Sequence, residues 1–240
     1  MLPGTDKAIK AEKTWKQLEE IGVIEKVPAG EPTTWSSPLH LAVKSDGSLR
    51  PCGDYRALNK VTIADSYPLP NIRTFAANMK GAQFFTSIDL FRAYYNIELC
   101  PESQKKATIV TGWGVYKFKR LAMGLKNSAA SFQRFMSTIL DNVPNFFVYL
   151  DDILLFDESE EVHKKKIADV FKILEENSLT INLPKCQFAQ KKVKFLGFQV
   201  SGNGIVPLPK KLEAIAEYPA PKKPKQLLGF LGAVNFYRRS

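Results

Sequence analysis

FFVYLDDILLF, residues 146–156, is an apolar run interrupted at its centre by two adjacent carboxylates, Asp151 and Asp152. Apolar segments of this length that are rich in Phe, Val and Ile are typical of buried strands. Two acidic residues side by side suit the tight turn of a hairpin. We therefore predict that the first strand closes at Leu150, that the two acids form the turn, and that the next strand opens at Ile153.

This hairpin would place two like charges at the tip of an apolar element. Two unit charges about 4 Å apart repel by roughly 4 kcal/mol at an effective dielectric constant near 20. A bound cation removes that cost, and hard divalent cations prefer carboxylate oxygens. The alternative is an ordinary exposed Asp-Asp turn without a ligand. A third carboxylate elsewhere in the chain would favour the metal site.

A second apolar strand that ends in a carboxylate is predicted at residues 83–90. Because side chains alternate along a strand, Phe85, Ser87 and Asp89 share one face. Asp89 is therefore the third acid that a metal site requires. It also suits the N-cap of a turn over residues 91–95, and the two interpretations are compatible.

The remaining pattern alternates helices with strands and predicts an α+β fold. Helices are expected at 129–140 and 160–177, so the order strand, helix, acidic hairpin, helix, strand places helices on one face of a central sheet. Outside this core we predict a helical segment at 7–24 with stops at Gly22 and Pro28, a helix at 71–79 and a loop at 27–37. Strands are predicted at 38–43, at 107–121 with a turn at Gly112 and Gly114, at 179–183 and at 194–200, and a proline-interrupted, then helical, segment at 207–240.

An Asp-Gly pair between two short apolar runs predicts another hairpin, with its tip at residues 45–48. Lys44 and Arg50 flank this tip. Cations on a mobile hairpin can reach the phosphates of a ligand and fold over it. The alternative is an exposed hairpin whose charges are only solvated. Together with acids delivered by two strands, these cations supply the parts that two-metal phosphoryl transfer requires.

The net charge of +10 over 240 residues is unevenly distributed. From Lys185 onward, nine lysines and two arginines are balanced by only two glutamates. Such a concentration is expected of a protein that binds the phosphate backbone of a nucleic acid, although a solubilising surface would have the same composition.

Composition argues against several other classes of protein. No stretch approaches about 18 uninterrupted apolar residues, and the charged N-terminal segment has no apolar signal core, so we expect neither a membrane span nor secretion. Cys52, Cys100 and Cys186 have no paired metal-ligand spacing, which predicts reduced thiols in an intracellular compartment. With only His40 and His163 in the chain, a histidine-rich metal site is excluded.

Eight short motifs follow one another along the chain: Asp54-Tyr55-Arg56-Ala57-Leu58-Asn59-Lys60, Tyr67-Pro68-Leu69-Pro70, Ser87-Ile88-Asp89-Leu90, Gly124-Leu125-Lys126-Asn127, Phe132-Gln133-Arg134, Tyr149-Leu150-Asp151-Asp152, Phe195-Leu196-Gly197 and Asn235-Phe236-Tyr237-Arg238-Arg239. Any one of them is weak evidence. Together and in this order, they closely resemble the reverse transcriptase domain of gypsy-type LTR retrotransposons, relatives of retroviral reverse transcriptases. The resemblance extends from about Trp15 to Arg239.

The resemblance implies the right-hand polymerase fold, with a palm built from a small antiparallel sheet backed by helices. By motif position, the fingers would comprise residues 1–66 and 98–126, the palm residues 67–97 and 127–206, and the start of the thumb residues 207–240. Because the last segment covers only the beginning of a thumb, we expect weak template-primer affinity and low processivity.

The resemblance also implies the chemistry of an RNA- and DNA-templated DNA polymerase, which adds deoxynucleotides to a primer 3′-OH during retrotransposon replication. Asp89 and Asp151 would bind two Mg²⁺ ions, for which Mn²⁺ could substitute, with the main-chain carbonyl of Leu90 as a further ligand. Asp152 would complete the triad. Lys185 would protonate the leaving pyrophosphate, although the position suits an ordinary surface lysine equally well.

Further roles follow from motif position. Lys44 and Arg50 would hold the incoming triphosphate. Tyr94 would act as a steric gate that clashes with a ribose 2′-OH, the alternative being a core aromatic residue on a short helix. Met123 would lie against the nucleotide, and the hairpin that contains Phe195-Leu196-Gly197 would grip the primer strand.

Three functions are open at this point. The leading one is the reverse transcriptase, with an RNA or DNA template, a primer and deoxynucleotides as partners. It would work beside ribonuclease H and integrase segments of a polyprotein, in cytoplasmic virus-like particles and in the nucleus. An RNA-templated RNA polymerase has a similar palm, but Tyr94 argues against it. From a different class, a catalytically silent nucleic-acid-binding fragment of a truncated or co-opted element would carry the same basic surface.

Overall fold

The computed structural model describes residues 5–43 and 49–237. Its helices are α1 (Asp6–Glu20), α2 (Arg56–Val61), α3 (Ile72–Phe75), α4 (Pro101–Lys106), α5 (Ser128–Ile139), α6 (Glu160–Glu176), α7 (Pro209–Ala216) and α8 (Pro224–Tyr237). Its strands are β1 (Ile24–Lys26), β2 (Ser37–Val43), β3 (Leu49–Gly53), β4 (Phe84–Phe91), β5 (Thr108–Thr111), β6 (Gly114–Phe118), β7 (Phe146–Tyr149), β8 (Asp152–Asp157), β9 (Thr180–Ile181), β10 (Gln187–Gln190), β11 (Lys192–Phe195), β12 (Phe198–Ser201) and β13 (Gly204–Pro207). Short 3₁₀ helices cover Ala76–Met79, Ala93–Asn96 and Leu183–Lys185.

The chain divides into two compact units, each assembled from separate stretches of sequence. The first unit contains residues 1–68 and 92–135, and the second contains residues 69–91 and 136–240. The chain therefore passes from one unit to the other three times. The limits of fingers, palm and thumb that the motifs imply stay a prediction.

The first unit is built on a five-stranded mixed sheet with the order β1-β6-β5-β2-β3. Only β2 and β5 pair in parallel among these neighbours. Helix α1 buries Ala8, Ala11, Trp15 and Leu18, the spacing of one helical face. The Trp15 ring meets the rings of two β6 residues edge-on, at centroid distances of 5.9 and 5.8 Å. This helix therefore anchors the core of the first unit.

The second unit is built on an antiparallel sheet with the order β10-β4-β8-β7. Helix α6 packs on one face, against β4, β8 and β10. The other face contributes Phe85, Leu154 and Phe156 to a buried cluster that also contains Phe195 and Phe198 of the sheet β11-β12-β13. Both faces of β4 and β8 are therefore covered, which explains why these strands are apolar almost throughout.

The predicted α+β class is confirmed, but several predicted boundaries are wrong. The helical pattern over 7–24 forms a helix only as far as Glu20; Gly22, which was predicted as a stop, takes a φ of 71°, and the chain then enters β1. The predicted helix at 71–79 is the short α3 followed by a 3₁₀ helix. The predicted strand at 179–183 is reduced to the two residues of β9.

The single strand predicted at 194–200 is also wrong, because the chain reverses within it. Leu196 and Gly197 take φ angles of 47° and 83° and connect β11 to β12. Two consecutive residues with positive φ are the signature of a tight hairpin turn. The resemblance had implied a hairpin here, and the strand pattern alone had hidden it.

The remaining helices and hairpins agree with expectation. Helices α5 and α6, the hairpin β5–β6 and the strands β2 and β3 lie where they were predicted. The tip at residues 45–48 lies outside the described residues. Within the part of the chain that the structure describes, no helix has both the length and the apolar character needed to cross a membrane.

Candidate active site

Two acids lie directly opposite each other on the central strands of the second unit. In the antiparallel pair β4–β8, Asp89 is the register partner of Asp152, followed by Ser87 opposite Leu154. The side chains of Asp89 and Asp152 therefore emerge side by side on the same face of the sheet. The N-cap interpretation of Asp89 is wrong, because Asp89 lies inside β4 and the residue capping the next 3₁₀ helix is Arg92.

The turn between β7 and β8 is one residue earlier than predicted. Tyr149 pairs with Asp152, so the turn consists of Leu150 and Asp151, and Asp152 is already the first residue of β8. Leu150 has a φ of 54°, a conformation that is uncommon for a residue with a branched side chain. The carbonyl of Asp151 accepts a hydrogen bond of 3.0 Å from the Leu90 amide, which ties this turn to β4.

Electrostatics separate Asp152 from an ordinary surface carboxylate. Its pKa is raised from 3.8 to about 6, chiefly by burial and then by the neighbouring charges of Asp151 and Asp89, while Lys185 partly opposes the rise. Burial and like charges both disfavour the ionised form. The charges of Asp151 and Asp89 therefore act on Asp152, and Lys185 offsets them only in part.

Asp89 is held by two side chains from the segment after β9. The side-chain Nδ2 of Asn182 donates to Asp89 Oδ1 at 2.8 Å, and the main-chain N–H of Asn182 donates to the main-chain carbonyl of Asp89 at 2.7 Å. Lys185 Nζ lies 3.3 and 3.4 Å from the two carboxylate oxygens. Sequence reasoning singled out Lys185 and missed Asn182, whose only signal was its place at the start of the same Asn-Leu-Pro-Lys stretch.

Cys186 also contacts this acid through the main chain. Its Sγ accepts the Asp89 amide at 3.4 Å, and burial raises the pKa of the thiol. All three cysteines are free, in agreement with the expected reduced thiols.

The donor set fits a magnesium site that is completed by substrate. Among the described residues, no three His, Cys, Asp or Glu side chains are already arranged as a metal cage. Mg²⁺, however, is usually bound by one or two carboxylates together with substrate phosphates and water. Neighbouring carboxylates that supply hard oxygen donors, with Asp152 destabilised in its charged form by burial and like charges, suit that mode. The predicted ligands Asp89, Asp151 and Asp152 are brought together, with Leu90 adjacent to the first of them.

The predicted nucleotide-binding residues Arg50 and Met123 meet in the first unit. Arg50 Nη1 lies 3.7 Å from Met123 Sδ, and the Arg50 side chain is exposed. Lys44, predicted to act beside Arg50, lies outside the described residues. One cation of the predicted pair is therefore located, on β3 next to the loop that carries Met123.

Tyr94 lies on the 3₁₀ helix Ala93–Asn96 and is 9% exposed. Its ring stacks on Phe132, with centroids 4.8 Å apart and planes 16° from parallel. This packing fixes the ring on one side through a residue of the predicted Phe-Gln-Arg motif. The steric-gate role stays a prediction, since a core aromatic residue would pack in the same way.

Two motifs of the first unit are joined by a reciprocal pair of asparagines, Asn59 and Asn127, which we call the asparagine clasp. Asn59 donates to the Gly124 carbonyl and accepts from the Lys126 amide, both at 2.8 Å. Asn127 donates to the Ile63 carbonyl at 2.9 Å and accepts from the amide of residue 65 at 3.0 Å. Each asparagine side chain thus bonds the backbone of the opposite segment, which explains why both motifs contain asparagine. These bonds also hold the loop that carries Met123.

The fold is of the mixed α+β class with acids on adjacent strands, and comparison with known proteins gives the family. The model of the family described as reverse transcriptase (RNA-dependent DNA polymerase) matches residues 42–200. The chain belongs to the reverse transcriptase family.

Curated relatives are transposon polyproteins. The retrovirus-related Pol polyprotein from transposon 297 of Drosophila melanogaster is 37% identical over 235 residues, which cover 96% of this chain and 22% of that protein. The transposon Tf2-3 polyprotein of Schizosaccharomyces pombe is 35% identical over 204 residues, 84% of this chain and 15% of that protein. The chain therefore spans less than a quarter of the length of these relatives.

Solved structures agree with the predicted right-hand fold. The foamy viral protease-reverse transcriptase in complex with double-stranded DNA matches with a TM-score of 0.87 and 27% identity, over 97% of this chain and 40% of that one. The same viral protein in complex with an RNA/DNA hybrid matches with a TM-score of 0.84 and 26% identity, over 98% and 31%. The predicted resemblance, fold class and enzyme class are confirmed.

Proposed function

We propose that this chain is the polymerase domain of a retrotransposon Pol polyprotein and adds deoxynucleotides to a primer 3′-OH on an RNA or DNA template. The observation that carries the proposal is the opposed pair Asp89 and Asp152, with Asp151 in the adjoining turn. The viral relative was solved with double-stranded DNA and with an RNA/DNA hybrid. These are the duplexes that DNA-templated and RNA-templated synthesis produce.

The carboxylates are proposed to hold two Mg²⁺ ions, with Mn²⁺ as a substitute. When bound, such ions activate the attacking hydroxyl and neutralise charge on the transferring phosphate. Asp89 and Asp151 would contact both ions, Leu90 would add its carbonyl, and Asp152 would add charge. The strands β4 and β8 position these groups before substrate arrives, which is the main contribution a protein makes to phosphoryl transfer.

Lys185 is proposed to change partner during the reaction. In the structure its ammonium group pairs with Asp89. A cation at Asp89 competes for that carboxylate and leaves Lys185 available to a phosphate. Its side chain is 65% exposed, so it has room to move towards the leaving pyrophosphate and donate a proton there.

In the first unit, Arg50 and Lys44 are proposed to bind the triphosphate and Met123 to contact the nucleotide. The contact between Arg50 and Met123 supports a shared pocket wall. The Tyr94 ring would exclude a ribose 2′-OH, and its stacking on Phe132 would keep it from moving aside.

The basic surface near the end of the second unit is proposed to bind the nucleic-acid backbone. Lys192 and Lys194 are exposed while Val193 and Phe195 are buried, so β11 presents its lysines to solvent. The turn Phe195-Leu196-Gly197 at the end of this strand is the proposed primer grip.

Replacing Lys192 and Lys194 by Gln should lower the slope of log affinity against log salt by about 2, since each phosphate contact contributes roughly 0.9. Lys10→Gln with Lys13→Gln, on the exposed face of α1, is the control and should not change the slope.

Extension of a DNA primer on RNA and DNA templates tests the polymerase proposal. Wild type should incorporate deoxynucleotides in preference to ribonucleotides, only with a divalent cation. Asp89→Asn and Asp151→Asn should each lower the rate at least about 100-fold, the cost typical of removing one preorganised electrostatic group. Equal rates in all three proteins would refute the metal site. Template binding without extension by wild type would support the silent nucleic-acid-binding fragment, and preference for ribonucleotides would refute the gate.

A further inference from the structure

A buried polar network lies on the face of the second-unit sheet that α6 covers, opposite the acid cluster. Its four side chains are Thr86 of β4, Asp157 of β8, and His163 and Lys166 of α6. Their residues are 0, 4, 0 and 5% exposed, respectively. Burying this much polarity is costly unless every group finds a partner, so the arrangement of partners is informative.

The network is continuous and connects β10, β4 and β8 with the residue that precedes β7. Thr86 Oγ1 lies 2.7 Å from His163 Nε2, and His163 Nδ1 lies 2.7 Å from Asp157 Oδ2. Lys166 Nζ donates to Asp157 Oδ1 and to the Phe156 carbonyl at 3.3 Å. It also lies 3.5 Å from the carbonyl of residue 145, which directly precedes β7. At the other end, the amide of residue 189 in β10 donates to Thr86 Oγ1 at 3.0 Å.

That last contact compensates for an irregularity in the sheet. The register between β10 and β4 shifts between Gln187 and Gln190, and Ala189 between them has a φ of 48°. A bulge leaves backbone groups without their ladder partner. The Thr86 hydroxyl accepts the Ala189 amide, so the network also holds the bulged edge strand in place.

The hydrogen-bonding capacity of each group determines which atom donates and which accepts in every bond of the network. The Asp157 carboxylate can only accept, so His163 must donate from Nδ1. A neutral imidazole then accepts at Nε2, and its donor is the Thr86 hydroxyl. The Thr86 oxygen is left free to accept from Ala189. Each proton therefore has one place, and the chain of bonds fixes the Nδ1–H tautomer.

Neither catalysis nor stability explains such a network. Hydroxyl, imidazole and carboxylate follow the order found in nucleophilic enzymes, but complete burial keeps any substrate from Thr86. For stability alone, apolar side chains of similar volume serve as well as a buried ion pair. Buried polar groups do, however, distinguish one pairing register from its neighbours, because a shifted strand leaves them unpaired.

We propose that Thr86, Asp157, His163 and Lys166 form a register lock, a set of positioning residues that keeps Asp89 opposite Asp152. A slip of one residue between β4 and β8 turns every side chain of one strand to the other face, so Asp152 would leave the acid cluster. The same slip would remove Asp157 from His163 and Lys166. The lock therefore penalises the error that would destroy the metal site. Its catalytic consequence rests on the proposed function, whereas the lock itself does not.

Thr86→Val tests the catalytic consequence, because it keeps the shape of the side chain and removes the hydroxyl. We expect kcat at saturating Mg²⁺ to fall about 10- to 100-fold, the range typical of losing a group that orients metal ligands, with an unchanged KM for deoxynucleotide. Thr86→Ser, which keeps the hydroxyl, should restore most of the rate. Thr108→Val is the matched control, since Thr108 is also fully buried and bonds a single carbonyl, in the first unit. A loss of kcat no larger than in this control overturns the positioning role.

Two measurements test the lock without activity. In metal-free protein, amide hydrogen exchange in β8 should be faster in Thr86→Val than in wild type by on the order of tenfold or more, and unchanged in Thr108→Val. Nitrogen NMR of wild type should show His163 as the Nδ1–H tautomer. Unchanged exchange, or an Nε2–H tautomer, overturns the lock. If wild type fails to extend primers, the proposed function fails, and these two measurements still decide the lock.

Discussion

Asp152 and Asp157 occupy the two ends of one strand, β8, in opposite environments. Asp152 faces Asp89 and adjoins Asp151, and its pKa is raised to about 6. Asp157 is 4% exposed and accepts hydrogen bonds from His163 and Lys166. The same side chain on the same strand is thus neutralised by the protein at one end and left among like charges at the other.

The difference agrees with the proposed roles of the two carboxylates. A carboxylate with a structural role is paired with a cationic side chain of the protein itself, because an unpaired charge in the interior is too costly. An acid that serves a ligand is kept under-neutralised, so that the missing positive charge arrives with the ligand. Replacing each carboxylate in turn by the amide of Asn tests this contrast directly.

The largest expected effect is at the neutralised end. Asp157→Asn keeps the size of the side chain but leaves the Lys166 ammonium buried without its carboxylate. Breaking a buried pair in this way costs about 3–5 kcal/mol, which urea unfolding would measure as a lower midpoint. Asp141→Asn, at an exposed position, is the control and should change the free energy of unfolding by less than about 0.5 kcal/mol. Equal losses in the two variants would contradict the contrast.

At the other end of β8, the mutation should raise the free energy of unfolding instead of lowering it. Asp152→Asn removes a repelled charge, so metal-free protein should become more stable. A gain of about 1 kcal/mol is expected after allowing for solvent screening of this half-buried group. Saturating Mg²⁺ should stabilise wild type more than the variant, since a ligand stabilises only the state that binds it. Thermal unfolding with and without chelator would measure both, and an identical ranking in the two conditions would argue against cation binding at this cluster.

The pH dependence of the same gain is a finer test. In metal-free folded protein Asp152 takes up a proton near pH 6, whereas in the unfolded chain it does so near 3.8. The folded state binds more protons between these values, so wild-type stability rises relative to Asp152→Asn as the pH falls. The gain of about 1 kcal/mol should therefore be present at about pH 7.5 and should shrink through about pH 6, until little remains at about pH 4. Urea unfolding at several pH values would measure this difference in stability. A difference that does not vary with pH would show that the raised pKa does not belong to Asp152.

The smallest effect concerns Lys185, which pairs with Asp89. Lys185→Gln removes an ion pair whose lysine is 65% exposed, so the free energy of unfolding should change by less than about 1 kcal/mol. Because Lys185 lowers the pKa of Asp152, that pKa should rise further in the variant. An NMR titration of the Asp152 carboxyl carbon would detect this rise. Lys192→Gln, an exposed lysine on β11, should not shift the titration.

The sequence predicted the acidic hairpin and the strand of Asp89, because both rest on local pattern, and it predicted their meeting because a metal site needs acids from both. It misplaced the turn by one residue. Turn preferences favour Asp over Leu at a positive φ, yet Leu150 takes that position and Asp152 joins β8. The pairing with β4 decides this, since only the observed register sets Asp152 opposite Asp89. That is a long-range constraint, which local preferences cannot express.

Other features were hidden for the same reason. His163 and Lys166 lie three residues apart on α6, and nothing nearby in sequence shows that Asp157 and Thr86 meet them. The turn at Leu196 and Gly197 was masked by continuous apolar alternation, although Gly197 was a usable signal. The asparagine clasp joins segments more than sixty residues apart, so its two motifs could be recognised by resemblance but not explained.

The threefold passage of the chain between the two units has a consequence for synthesis on the ribosome. The first unit lacks residues 92–135 until they are translated, and the second lacks everything after residue 91 until later still. At about 5–20 residues per second, several seconds pass in which β4 has emerged without β8. During that interval its apolar faces and Asp89 have no partner strand. The nascent chain should therefore depend on chaperones most strongly between the emergence of β4 and the completion of β8.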